Sequence, residues 1–208
     1  MNVGLTEVQK KLYCALLREN AGMLLRQITR SSLGPLQRLL LQLVKVCVHP
    51  FLLYGADNGI AQYWKETEPY KDKTLREIKR EAIVTVSGKM VLLDKLLTRL
   101  RAENRKVVIA SHMVRVLDIV QGYLTMKGCV YERIDGSTGK DEREVAESHF
   151  KNEDGFVVLL STERDNVVFA EVVIIFDGEW NARDDAVNQC HRIGVEQVTR
   201  VYRFVCLR

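Results

Sequence analysis

Apolar positions recur at helical spacing through the first quarter of the chain. Thr6-Glu7-Val8-Gln9 opens a helix, with Thr6 placed to cap free N–H groups and Gln9 to reach back and complete a capping box. Val8, Leu12, Ala15 and Leu16 then share one face, with Lys10, Lys11 and Arg18 elsewhere. Gly34-Pro35 breaks the pattern, and Leu36, Leu39, Leu40, Leu43, Val44 and Cys47 predict the apolar stripe of a second helix. His49-Pro50 ends it, because a residue before proline is pushed out of the helical region. Phe51-Leu52-Leu53-Tyr54 is expected to be an apolar anchor docked on the main body. Residues 57–86 read as an irregular, charged surface excursion, in which 71–81 has the composition of a polar helix.

The pattern changes at Ser87, which reads as a helix cap for the stripe Met90, Leu93, Leu96, Leu97 and Leu100. Short β-branched runs then alternate with helical patterns. Strands are predicted at 106–110, 130–134, 156–160, 172–176 and 198–205. Met113, Val116, Leu117, Val120 and Leu124 mark one intervening helix; Val145, Ala146 and Phe150 give the inward face of another. The turn Asp135-Gly136-Ser137-Thr138 is placed to cap that second helix, with Asp141 and Glu142 in its first turn, where the dipole favours acids. Strands and helices alternating in this way predict an α/β fold, a parallel sheet covered on both faces. Ligands of such sheets bind at the carboxyl ends of the strands. Those ends are Ser111-His112, Asp135-Gly136, Ser161-Thr162 and Asp177-Gly178.

Composition narrows the class. Of 208 residues, 47% are apolar and 28% charged, as in ordinary soluble domains. No apolar run approaches the ~20 residues that span a bilayer, and the N-terminus has no secretory signal pattern, so no membrane association is expected. The five cysteines are odd in number and scattered without C-x-x-C, which predicts reduced thiols of an intracellular protein, with neither a disulfide framework nor a zinc site. The net charge of +4 is uneven: residues 1–80 hold 13 Lys and Arg against 7 Asp and Glu, and residues 81–208 hold 18 against 20. The basic N-terminal excess suits contact with a polyanion, and a solvated helical face explains it equally well.

Candidate chemistry centres on Cys190-His191-Arg192-Ile193-Gly194. The Arg192 guanidinium is planar, always charged and bidentate, which suits the charge that builds up on a transferring phosphoryl group. The plainer reading is a loop arginine paired with a surface carboxylate. Ser87-Gly88-Lys89 is not a phosphate loop: the first glycine of that motif is absent and position 90 is Met.

Several stretches, in order, resemble the second ATPase lobe of the Swi/Snf family, nearest its imitation-switch and chromodomain-helicase branches. They are 46–52 (Val-Cys-Val-His-Pro-Phe-Leu), 87–97 beginning Ser-Gly-Lys-Met, 115–119, 133–138 (Arg-Ile-Asp-Gly-Ser-Thr), 141–143, 160–162, 172–174, Trp180-Asn181, His191-Arg192-Ile193-Gly194 and 201–204. The resemblance covers nearly the whole chain. It implies a RecA-like lobe at 87–208, preceded by a helical protrusion and linker at 1–56 and the excursion at 57–86. It further implies a nuclear chromatin-remodelling motor that hydrolyses ATP with Mg between two lobes and moves along double-stranded DNA on nucleosomes. The first lobe carries the phosphate loop and the acidic metal-binding motif, and these 208 residues contain neither, so turnover is expected only in combination with such a lobe.

Site residues carry over by position. Arg192 matches an arginine that reaches the nucleotide phosphates, with Gly194 and Asp185 in the same motif. Its usual companion arginine is Gln189 here, which donates hydrogen bonds without charge. Ser111, His112, Thr162 and Arg164 fall where the family meets DNA; a helix-capping role is the alternative for Ser111-His112. After Thr162 the family continues with an arginine and a glycine-rich turn. This chain has a shorter, glycine-free run from Glu163 to Ala170, and its acids repel phosphate. Two readings follow: one lobe of a working DNA-dependent ATPase, or a degenerate lobe that binds DNA or protein as a scaffold. An unrelated α/β nucleotide-binding domain is disfavoured, because no glycine-rich fingerprint follows the first strand.

Overall fold

The computed structural model describes residues 1–24, 33–162, 170–177 and 199–207. They form two compact units, one of Met1–Asn2 with Leu93–Val205 and the other of Val3–Leu92 with Cys206–Arg208.

The larger unit is built on five parallel strands, β2 (Val107–Ala110), β3 (Tyr131–Ile134), β4 (Val158–Ser161), β5 (Val172–Ile175) and β6 (Arg200–Arg203). Their order across the sheet is β3-β4-β2-β5-β6, with Val107 opposite Val158 on one side and Val172 on the other. β2, β4 and β5 are buried along their whole length. This explains why their sequences read as unbroken apolar runs. Helix α7 (Val114–Met126) carries the chain from β2 to β3, and α8 (Lys140–Asn152) carries it back from β3 to β4. The two crossovers run in opposite directions along the sheet, so right-handed connection puts the helices on opposite faces. Val108, Leu159 and Val173 meet Ala146 and Phe150 of α8 in one core cluster, closed by Ile134, Val157, Ala170 and Ile175. By alternation Ile109, Leu160 and Ile174 turn to the other face, where α7 lies against β4.

The smaller unit is helical, with α1 (Glu7–Glu19), the four-residue α2 (Ala21–Leu24), α3 (Leu33–Val48), α4 (Ala56–Lys65) and α5 (Leu75–Thr85). α1 packs on α3 and α4 on α5. α6 (Gly88–Ala102) follows, and β1 (Asn2–Gly4) with β7 (Val205–Leu207) makes a separate two-stranded sheet. The capping box of α1 forms as the sequence predicts. Gln9 does more than cap: it is fully buried, its amide donates to the carbonyls of Val46 (2.8 Å) and Cys47 (3.0 Å), and its Oε1 also accepts from the Gly88 N–H (3.0 Å). Ser87 accepts from the Met90 N–H (3.4 Å), as a cap should, and donates to the Val48 carbonyl (2.9 Å).

Several expectations change. The stretch expected to be largely irregular holds α4 and α5; α5 overlaps the polar helix expected at 71–81, opened by a second capping box of Thr74 and Glu77 and given a buried face by Ile78 and Ala82. The division between units falls at Leu92/Leu93, inside α6. On α3 the buried line runs through Leu39 and Val46, so Leu40 (59% exposed) and Val44 (40%) lie outside it. Of the expected apolar anchor, Leu52 is buried, but Tyr54 projects fully into solvent just before the left-handed turn at Gly55. On α8, Ala146 and Phe150 take the inward face and Val145 is exposed. Gly139, not the Asp135–Thr138 turn, is the N-cap of α8, and its N–H is bonded by Glu142 (3.2 Å). The predicted last strand becomes β6 in the large sheet and β7 in the small one, with the buried Phe204 between them.

Candidate nucleic-acid and nucleotide site at the carboxyl edge of the sheet

In a parallel sheet all strands end on the same side, and the ladder here runs one residue past the strand ends. The N–H of Ser111 donates to the Ser161 carbonyl (3.1 Å), that of Thr162 to Ile134 (3.2 Å), and that of Phe176 to Ala110 (3.0 Å). Ser111-His112, Asp135, Thr162 and Asp177 are thereby held in register on one rim, the edge where α/β sheets bind ligands.

Asp177 organises the middle of that rim. Its carboxylate is buried and accepts from the Ser111 hydroxyl (2.8 Å) and from the His112 N–H (3.0 Å). Ser111 Oγ in turn accepts from the Met113 N–H (3.1 Å). Ser111 is only 2% exposed, so its hydroxyl tethers the loop and is not presented to solvent. His112 is exposed on the loop so fixed, and Thr162 is half-buried at the end of β4. Neither Ser111 nor His112 caps α7; that position is Met113, which makes no side-chain cap.

Asp135 is likewise buried at the end of β3, and it shapes the turn that follows. It accepts from the Ser137 hydroxyl (2.5 Å), the Ser137 N–H (2.9 Å) and Arg133 Nε (2.9 Å), while its own N–H donates to Thr138 Oγ1 (2.9 Å). The Ser137 hydroxyl and N–H, with Arg133 behind them, hold the Asp135 carboxyl below the usual carboxylate range, so it is an anion with fixed partners and no proton to give. Arg133 is itself pinned, with one guanidinium nitrogen on both Asp118 (2.8 Å) and Gln121 (2.6 Å) of α7. The open hollow beside this turn is lined by four carboxylates, Glu132, Asp135, Asp141 and Glu142, against one guanidinium, Arg133, that is already paired. Its carboxylates make it unsuited to phosphate.

Of the residues assigned by position, Ser111, His112 and Thr162 come together on the rim. Asp185, Gln189, Arg192, Gly194 and Arg164 lie outside the described residues. Asp177 and Arg133 were not singled out from sequence as site residues. Asp177 was visible only as a strand end, because its partners are more than sixty residues away. Among the described residues no group of three His, Cys, Asp or Glu is placed to hold a metal ion, and no helix is long and apolar enough to cross a membrane.

Residues 88–195 match the family described as the helicase conserved C-terminal domain. Over its length the chain is 38% identical to chromodomain-helicase-DNA-binding protein 8 of Xenopus tropicalis, across 99% of this chain and 10% of that protein. It thus spans about a tenth of the length of that curated relative. The fold is similar to that of the C-terminal part of the Fun30 ATPase domain, with a TM-score of 0.70 and 23% identity over 99% of this chain and 84% of that one. It is similar also to the Sulfolobus solfataricus SWI2/SNF2 ATPase core in complex with dsDNA, with a TM-score of 0.73 and 23% identity over 100% of this chain and 40% of that one. The match covers more than half of the sequence, and the parallel sheet is the RecA-like one that the motifs implied; the chain belongs to the helicase conserved C-terminal domain family.

Proposed function

We propose that this chain is the second lobe of an ATP-dependent motor that moves along double-stranded DNA and remodels nucleosomes in the nucleus. In this reading a first lobe supplies the phosphate loop and binds ATP with Mg. The observation that carries the reading is the rim itself: Asp177 fixes the 111–113 loop so that His112 is exposed beside Thr162 at the carboxyl edge of a parallel sheet. Backbone phosphates are the partners such a rim suits, through Thr162 and His112, while Ser111 holds the loop from behind. In this reading Arg192 contributes a permanent positive charge toward the nucleotide phosphates, and Gln189, three positions earlier in the sequence, a neutral hydrogen bond. Gln189 favours a second reading, a lobe that still binds DNA but no longer supports turnover.

The test joins the chain to a matching first lobe and measures DNA-stimulated ATP hydrolysis with and without Arg192→Ala. Stimulated turnover that falls about a hundredfold or more in the variant is the expected result. DNA binding without stimulated turnover would leave the scaffold reading. Binding should weaken steeply as salt rises and be indifferent to sequence, because phosphate contact releases counterions. An affinity that does not change with salt would count against a phosphate-led rim.

A further inference from the structure

The amino-terminal edge of the same sheet carries a different kind of surface. Arg105 and Lys106 precede β2, Glu171 precedes β5 and Arg200 begins β6, and these three strands are neighbours. Arg99, in the last turn of α6, and Glu103 complete the group. Arg99 Nε donates to Glu103 Oε1 (2.7 Å), and Arg105 donates to Glu171 Oε2 (2.9 Å). The other oxygen of Glu103 has Arg105 Nε and an Arg200 guanidinium nitrogen each at 3.9 Å, too long for a hydrogen bond. Arg105 Nε is buried, and among the described residues it is the only buried side-chain nitrogen or oxygen with no hydrogen-bond partner. Arg99 and Arg200 remain well exposed, at 73% and 54%. Three guanidiniums thus share two carboxylates, and most of their N–H groups are unspent within the described residues.

We propose that this edge is a docking surface for an acidic peptide segment, whose carboxylates complete the pairing of Arg99, Arg105 and Arg200. The planar fork of arginine matches a carboxylate bidentately, and each added carboxylate takes up exposed guanidinium N–H groups that Glu103 and Glu171 leave over. The carboxylates already in the cluster argue for a peptide over a duplex. DNA presents a phosphate charge every ~1.7 Å along its axis and would bring several against Glu103 and Glu171. A flexible peptide places its acids between the arginines and its neutral backbone over the glutamates. The surface is separate from the carboxyl rim, and the inference stands without the motor reading.

A fluorescently labelled hexaglutamate peptide, a hexaglutamine control and a labelled DNA duplex are titrated with the full chain at low ionic strength. The hexaglutamate peptide should bind and the hexaglutamine peptide should not. Arg99→Gln combined with Arg200→Gln should weaken hexaglutamate binding about fivefold or more while leaving the thermal midpoint and the duplex affinity unchanged. Glu103→Gln should act in the opposite direction and tighten the peptide about threefold, because it removes the competing carboxylate. Hexaglutamate affinity that is absent, or indifferent to both changes, overturns the proposal. Loss of duplex binding instead of peptide binding in the double variant also overturns it, and makes the edge a nucleic-acid surface.

Discussion

The two units use buried polar groups for opposite ends. In the helical unit Gln9, His49 and Ser87 are buried and bonded to backbone groups, closing helix ends that would otherwise be left without partners. On the sheet rim Ser111, Asp135 and Asp177 are also buried, but Ser111 and Asp135 sit in short turns whose next residues, His112 and Gly136-Ser137, are exposed, and Asp177 fixes the first of these turns. The same physics, a buried polar atom that must find a partner, makes a rigid scaffold in one unit and a positioned edge in the other. If that contrast is right, damage in the helical unit should cost stability and spare binding per folded molecule. Damage on the rim should cost binding out of proportion to stability.

The largest effect is expected at Gly88. A Cβ there would lie 2.1 Å from the Gly4 carbonyl oxygen and 3.0 Å from Val3 Cγ1, both belonging to β1. The first neighbour is backbone and has no rotamer in which to escape, and the N–H of Gly88 is tied to Gln9. Gly88→Ala should therefore destabilise the chain by about 3 kcal/mol, read as a lower urea midpoint with unchanged slope. An alanine variant of wild-type stability would show that β1 does not hold its place against α6.

Next comes His49. Nδ1 accepts from the Phe51 N–H (3.0 Å), so Nε2 bears the proton and donates to the Ile83 carbonyl (2.8 Å). Burial pushes its pKa from the usual 6.5 down to about 4, against the opposing pull of the Ile83 carbonyl. Above pH 6.5 the imidazole is neutral in both the folded and the unfolded chain, and its contribution to stability is complete. As pH falls below 6.5 the unfolded chain takes up a proton that the folded chain refuses until about pH 4, so stability is lost across that window. The loss should reach about 3 kcal/mol at its acid end, of which about 2 has gone by pH 5, before most carboxylates titrate. Urea midpoints measured from pH 7.5 to 5 should show this decline in the wild type and a shallower one in His49→Gln. Equal slopes in the two proteins would mean that His49 does not titrate as its burial demands.

Much of this was legible in sequence, for local reasons. β2, β4 and β5 are continuous apolar runs because both of their faces are covered, and the Thr6–Gln9 box and the Ser87 cap depend on neighbours within three residues. The rim was legible as a set of strand ends. What was missed depends on distance along the chain. The pairing of β1 with β7 joins three-residue strands from opposite ends of the sequence, too short to show a period. α5 was legible as a polar helix over 71–81, but its many charges masked the two-residue buried stripe of Ile78 and Ala82. Ser111 was assigned to phosphate because no local signal shows that Asp177 occupies its hydroxyl.

The smallest of these effects on stability, and the sharpest test of the contrast, is at Asp177. Asp177→Ala removes the acceptor for two donors, the Ser111 hydroxyl and the His112 N–H. The Ser111 hydroxyl retains a contact with the Met113 carbonyl at 3.2 Å, so one of the two keeps a partner. The cost should therefore be about 1 to 2 kcal/mol, less than at Gly88. The loop from Ser111 to Met113 then loses its tether to β5, and with it the fixed exposure of His112. Duplex affinity should fall about fivefold even where urea melts show the variant fully folded, a loss near 1 kcal/mol. Asp177→Asn keeps one carbonyl oxygen in place and should recover most of that affinity, because the His112 N–H regains an acceptor. Gly88→Ala, compared under conditions where it too is folded, should bind the duplex as the wild type does. If Asp177→Ala binds DNA normally while folded, the rim loop is held by its other contacts and the two units do not differ in the way their buried polar groups are used.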